Sequence, residues 1–253
     1  MAVSLDRLDA ARQNLREERR RCVDERAAFL AFQKDVAAVK ATAPAATPMA
    51  VTAIGRRQHS DGALARVRRA YERTVMSVPH YDEEYDDSFE DSVSAEFGPD
   101  VATAFRSASV FSPALRQTVA SAAATAVSER AEFIRVVDEE IDSIESMHDD
   151  IASLTARLSE FDDTPLSDRG FDELLALHDG LADLRGRLDA LVVERQATIA
   201  NHRRALSSLD HDVTEFLYEN LSVRYPVLAT AAAVAAALDT ATGRVETWLA
   251  STP

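Results

Sequence analysis

The sequence predicts an all-α fold built around a long antiparallel helical hairpin. Three observations carry that prediction. Glycine and proline number only 7 and 8 in 253 residues, too few for sheets joined by tight turns. Strong helix formers (Ala, Leu, Glu, Arg) are plentiful, and alternating β-branched runs are missing. Apolar residues also recur at seven-residue spacing over long uninterrupted stretches.

The first hairpin arm opens at Ser112-Pro113, a good N-cap followed by a proline suited to the first helical position. Val137, Ile144, Ile151 and Leu158 fall seven apart, and Phe133, Met147, Leu154 and Phe161 form the companion line. Smaller Ala123 and Ala126 extend the stripe backwards. No Gly or Pro interrupts Ala114 to Phe161, a run of about 70 Å at 1.5 Å per residue. Asp162-Asp163-Thr164-Pro165 stops it. The second arm starts at Gly170-Phe171-Asp172-Glu173, with acids where the helix dipole favours them. Leu174, Leu181 and Leu188 make one line and Leu177, Leu184 and Leu191 the other. Arg195, Thr198 and His202 then interrupt with polar groups before Leu209 and Phe216. Two such runs joined by a short polar turn predict an antiparallel coiled-coil hairpin over 112–217.

Ahead of it, residues 1–40 read as one long helix capped by Ser4. Leu8, Leu15, Cys22, Phe29 and Val36 are its seven-spaced line, joined by Leu5, Phe32 and Val39. Arg12, Arg19 and Arg26 take the neighbouring position, so the helix is expected to lie on the hairpin as a third strand or on a second copy of itself. Residues 41–61, with two prolines and no periodicity, read as a flexible linker. Residues 62–111 read as short helices: Leu64, Val67, Tyr71, Val75 and Val78 on one, ended by Pro79; Tyr85, Phe89, Val93 and Phe97 on a second, ended by Gly98-Pro99; Val101 and Phe105 on a third. Residues 218–253 contain a break at Pro226 and a final amphipathic helix on Leu228, Ala231, Ala235, Leu238, Val245 and Leu249.

The formal net charge is −15 with a pI near 4.8, and only Lys34 and Lys40 are lysines. This acidic, lysine-poor, alanine-rich composition resembles proteins of salt-in halophiles, where molar salt shortens the Debye length to about 3 Å and screens the self-repulsion. Cys22, the single cysteine, lies on an apolar line and reads as a buried small hydrophobe. The N-terminus lacks a charged segment followed by an apolar one. The apolar run Pro226–Leu238 is too short to span a bilayer. A cytoplasmic protein without membrane contact is the expectation.

Two stretches are similar to the signatures of an uncharacterised protein family of halophilic archaea. One runs from Ala70 through Val78-Pro79-His80-Tyr81 to Tyr85 and on to Ala95–Asp100. The other runs from Leu217-Tyr218-Glu219-Asn220-Leu221 through Tyr225–Ala229, and the opening Leu5–Arg12 fits as well. Gly170 departs from that pattern, where a serine cap is expected. The resemblance implies a helical protein with no assigned activity.

The densest chemistry is Pro79-His80-Tyr81-Asp82-Glu83-Glu84-Tyr85-Asp86-Asp87, five carboxylates and an imidazole. Such a set suits a cation or an acid–base pair. The plainer reading is a proline-terminated helix followed by an acidic first turn, with Tyr71, His80, Tyr81, Glu83, Glu84 and Tyr85 as an interaction surface. Glu145-Ser146-Met147-His148 has the Glu-x-x-His spacing of di-iron bundles but lacks the second pair that they need. No nucleophile elbow, phosphate loop or dinucleotide fingerprint occurs. Arg16, Arg19, Arg20 and Arg21 alternate with acids, and Arg66, Arg68, Arg69 and Arg73 belong to an acidic chain. Catalytic residues, cofactors and metals are therefore not expected, nor is direct nucleic-acid binding. The expected role is a non-enzymatic scaffold or adaptor, with an unknown protein partner or self-association through the heptad seams. A regulator acting with a transcription factor or on DNA is the alternative, and an enzyme built on the His80 cluster is a third.

Overall fold

The computed structural model describes residues 3–42, 53–162, 165–205 and 216–251, and among these no strand occurs. The fold is all-α. The helices are α1 (Asp6–Ala38), α2 (Ala53–Thr74, continued by a 3-10 turn at Val75–Ser77), α3 (Tyr81–Glu84), α4 (Phe89–Phe97), α5 (Pro99–Ser107), α6 (Pro113–Asp162), α7 (Phe171–Ala205) and α8 (Pro226–Ser251). Their ends follow local chemistry. Ser4 Oγ accepts from the Asp6 amide at 3.1 Å, and Ser112 Oγ from the Leu115 amide at 3.1 Å. Pro226 opens α8, where its missing N–H costs nothing. Gly98, at φ 89°, serves as both C-cap of α4 and N-cap of α5, a conformation that a side chain would strain.

Two sequence boundaries move. α2 begins at Ala53, inside the expected linker; residues 43–52 lie outside the described residues. Once the buried turns around Val67 and Tyr71 are nucleated, each residue added upstream gains a hydrogen bond, and no proline after Pro48 blocks the extension. Tyr85 does not share a helix with Phe89. The chain breaks at Asp86, whose φ is 43°, and α4 restarts at Ser88, whose Oγ accepts from the Asp91 amide at 3.2 Å.

The described chain divides into two compact units, Met1–Glu18 with Val136–Pro253, and Arg19–Arg135. In the first, Val137, Ile144, Ile151 and Leu158 of α6 are buried, as are Leu174, Leu181, Leu184 and Leu188 of α7. The two helices run antiparallel and hold register: Phe161 and Leu181 line one shallow depression, and three heptads away on each helix (161 − 140 and 202 − 181 are both 21) Glu140 meets His202. The start of α1 packs in cis, through Leu8, Ala11 and Leu15, Arg16–Glu145 at 2.8 Å, and Asn14 Nδ2 donating to the Leu217 carbonyl at 2.6 Å. α8 buries Val227, Ala231, Val234, Leu238, Ala241 and Val245; Leu228 and Ala235, expected on that face, are half-buried. α8 is long and apolar enough to cross a membrane by length and composition alone, with a mean hydropathy of 1.3 over its best 18 residues, and 44% of that window is buried.

The second unit is an aromatic core. Phe29, Phe32 and Val36 of α1, Val67 and Tyr71 of α2, Phe89 and Val93 of α4, Val101 of α5, and Phe111, Leu115, Val119, Ala123 and Ala126 form one cluster. The first half of α6 therefore serves this core, and α7 is matched to the second half. The small residues at Ala123 and Ala126 suit close helix approach here rather than along the hairpin.

Candidate functional site

Each unit contains a polar cluster centred on one glutamate. In the first, Glu140 occupies the seven-spaced position between Phe133 and Met147 that apolar residues leave open. Its residue exposure is 1%, that of Arg195 1% and that of His202 4%. Arg195 binds it as a fork, with Nη1–Oε2 at 2.8 Å and Nη2 on Oε1. His202 Nδ1 lies 3.3 Å from Oε2, and the buried Tyr218 hydroxyl donates to Oε1. Arg195 also donates to Ser143 Oγ at 3.1 Å. Burial alone would raise the Glu140 pKa. The hydrogen bonds from His202 and Arg195, the Arg195 charge and the Tyr218 hydroxyl outweigh it and hold the carboxyl at about 2. Burial and the Glu140 charge push Tyr218 well up. Every strong donor around Glu140 is thus spent inside the chain. Arg195 and His202, expected as polar interruptions that select a partner, choose Glu140 instead.

In the second unit, Glu25 of α1 is the centre. Tyr85 donates its hydroxyl to Oε1 at 2.9 Å, His80 Nε2 lies 3.1 Å from the same oxygen, and Arg130 Nε donates to Oε2 at 3.1 Å. Arg130 also donates to Glu96 Oε1 at 2.6 Å and lies 4.8 Å over the Phe29 ring. Glu84 pairs with Arg21. Burial opposes the charge on Arg130, but Glu96 and Glu25 raise its pKa. Burial raises that of Glu96 against the opposing Arg130, and burial together with the Glu25 charge raises Tyr85. The Tyr85 ring is exposed at its edge, while its hydroxyl is turned in to Glu25.

The six residues expected to form a surface separate into two groups. Glu83, Glu84 and Tyr85 are exposed. Tyr71, His80 and Tyr81 are buried, at 1%, 7% and 6% exposure, and this corrects their reading as surface. Tyr71 is a core residue, with edge contacts to Phe32, Phe89 and Phe97 and its hydroxyl 2.9 Å from Ser92 Oγ. Tyr81 packs its ring 5.5 Å from that of Tyr85. An aromatic ring gains more from this core than from water.

The other sequence candidates are satisfied locally. Glu145 pairs with Arg16 and Arg12, and His148 with Asp149 and Asp9. Arg68 is tied to Glu72 and Glu90 and lies over Phe89, while Arg73 pairs with Asp35. The arginines singled out for phosphate contact are thus partly neutralised within the chain.

A family model described as a domain of unknown function, DUF7260, matches residues 6–242. The chain belongs to the DUF7260 family. No curated protein and no solved structure matches it. The DUF7260 span contains both clusters whole, from Glu25 and His80 to Arg195 and Tyr218. Sequence reasoning missed Glu140, Glu25, Glu96 and Arg130. Glu140 had a signal, the single acidic residue in an otherwise apolar heptad line. Glu25 and Arg130 had none, since both read as ordinary charges on a helix surface.

Proposed function

We propose that this DUF7260 chain is a non-enzymatic helical scaffold or adaptor that acts through protein–protein contact. One observation carries the reading. Phe171, Leu175 and Val193 of α7 are 50%, 42% and 66% exposed. At 100° per residue the three fall within about 40° of one another, because Leu175 is one turn from Phe171 and Val193 lies two 11-residue repeats beyond it. That face is turned away from the line of Leu174, Leu181, Leu188 and Arg195, which is buried. Ala182 and Gly186 continue it with small exposed residues, Asp189 interrupts it with a charge in line with Phe171, and Asp179 flanks it. An apolar stripe on a long helix suits the apolar face of a partner helix laid along it.

The internal chemistry adds support. Glu140, Arg195, His202 and Tyr218 saturate one another, and Phe29, Phe32, Tyr71, Phe89 and Phe111 of the second unit are committed to a core. The test is the paired variant Phe171→Glu with Val193→Glu, purified from its host with its bound proteins quantified and its mass measured by light scattering. Loss of a stoichiometric partner or of self-association, with helicity unchanged, is the expected result. Association that survives both substitutions, or a chain that is solitary before them, defeats the reading.

A further inference from the structure

We propose that Glu25, His80 and Glu84 form a binding site for a first-row divalent metal ion of the Zn2+ type. The three side chains each offer a ligand atom, and these atoms lie within 4.8 Å of one another. They come from two directions. His80 and Glu84 sit one helical turn apart at the two ends of α3, and Glu25 reaches in from α1. His80 Nε2 and Glu25 Oε1 are 3.1 Å apart. Two ligands on a tetrahedral ion with bonds of about 2.0–2.1 Å stand about 3.3 Å apart, so this pair is already at ligand spacing. Glu84, exposed at the end of α3, brings a carboxylate oxygen within 4.8 Å of both as the third ligand. Water would take the fourth, from the side where Glu84 and Tyr85 meet solvent.

The surroundings resemble the outer shell of a metal site more than a finished ion-pair network. Arg130 holds Glu25 by Oε2, and Oε1, which accepts one hydrogen bond from the Tyr85 hydroxyl, has a second lone pair to offer the site. Arg21 engages Oε1 of Glu84, and a carboxylate can keep an arginine on one oxygen and a cation on the other. Tyr85 donates to Glu25 and fixes its orientation. Hydrogen bonds of this kind orient ligating carboxylates in metal proteins. The charge balance also favours a cation: among the described residues, the ion pairs of Glu25, Glu84 and Glu96 are with His80 and two arginines, Arg21 and Arg130. One imidazole among the donors selects Zn2+, Mn2+ or Fe2+ over Mg2+ and Ca2+, which prefer all-oxygen sets. On binding, the ion takes the place of the hydrogen bond between His80 Nε2 and Glu25 Oε1, and the imidazole ligates through Nε2 with its N–H on Nδ1. The ion then ties α1 to the turn after α2. This site is independent of the α7 stripe, so either reading can fail alone.

The test uses the full chain stripped with EDTA and titrated with ZnCl2 by calorimetry, with thermal melting alongside. The expected result is one Zn2+ per chain and a raised Tm. Binding should weaken at least tenfold in both Glu84→Gln and His80→Gln, with no Tm rise in either, while His148→Gln leaves it unchanged. Should His80→Gln fail to fold, the exposed Glu84→Gln decides. No Zn2+ bound by the native chain, equal binding by the Glu84→Gln variant, or loss of binding in His148→Gln would overturn the proposal.

Discussion

Glu140 and Glu25 have the same set of partners, an arginine, a histidine and a tyrosine, and meet them in different solvent. Around Glu140 the carboxylate and guanidinium are 2% and 1% exposed, and one acid faces one permanent cation. Around Glu25 the corresponding figures are 12% and 17%, Tyr85 reaches the surface, and Glu96 and Glu84 bring extra negative charge. A closed, charge-matched cluster fixes how two helices pair and has no room for anything else. An open cluster with surplus charge can take up a cation without dismantling a core. Similar residues therefore give a register pin in one unit and a receptive site in the other.

The largest effect expected from this contrast is at Glu140. Glu140→Ala leaves Arg195 charged and buried with no carboxylate, which costs about 3–5 kcal/mol. Urea unfolding should show a midpoint lowered accordingly, or two transitions if only the first unit loosens. Replacing both partners, Glu140→Leu with Arg195→Met, should recover most of that loss, since removing a matched buried pair is often neutral. A double variant as unstable as the single one would mean that His202 and Tyr218, and not the ion pair, set the cost.

Arg130→Met comes next. It leaves Glu25 and Glu96 facing each other, but solvent reaches both, and Glu96, whose pKa burial already raises, can take a proton. A loss of about 1–3 kcal/mol is expected, smaller than at Glu140. An equal loss would show the second cluster to be as closed as the first.

Acid should separate the two clusters by sign. Glu140 has a folded pKa of about 2 against an ordinary 4.5, so its stabilisation is complete above about pH 4.5 and is lost as pH falls towards 2. Glu96 is shifted the other way. Its favourable contribution exists below the ordinary value and is lost as pH rises through the raised one. Hydrogen exchange, corrected for intrinsic rate, should show peptides around Glu140 and Tyr218 losing protection between pH 4.5 and 3 before those around Glu96. The reverse order would break the comparison.

How far the sequence reveals these regions follows from the same physics. The seven-spaced lines Leu8–Leu15–Cys22–Phe29–Val36 and Val137–Ile144–Ile151–Leu158 are buried throughout, because spacing alone decides which residues share a helix face. Spacing does not decide the offset between two helices. Arg195 and His202 were visible as polar residues on a buried line, while their partner Glu140 was visible only as a gap in another. Tyr218 lies just ahead of the break at Pro226, 78 positions from Glu140, and no periodicity links it to α6. The Glu25 cluster was half legible. His80, Glu84 and Tyr85 are close in sequence, but the residue that joins them is 55 positions before His80. The break before Phe89 was readable in Ser88-Phe89-Glu90-Asp91, an N-cap with an acid three residues on, and the four-residue spacing of Tyr85 and Phe89 concealed it.

The smallest effect, at Tyr85, is the most discriminating when set against its counterpart at Tyr218. Tyr218→Phe removes a hydroxyl from a buried carboxylate that nothing else can replace, and should cost about 1.5–3 kcal/mol. Tyr85→Phe removes the same bond from Glu25, but water can reach that edge and supply a substitute, so about 0.5 kcal/mol or less is expected. Urea midpoints of the two variants, measured in one buffer, give the ratio directly. A large ratio places Glu25 in contact with solvent, the condition under which an ion could enter. A ratio near one would mean that the Tyr85 bond is as sheltered as that of Tyr218, and the path by which a cation reaches His80 would be closed.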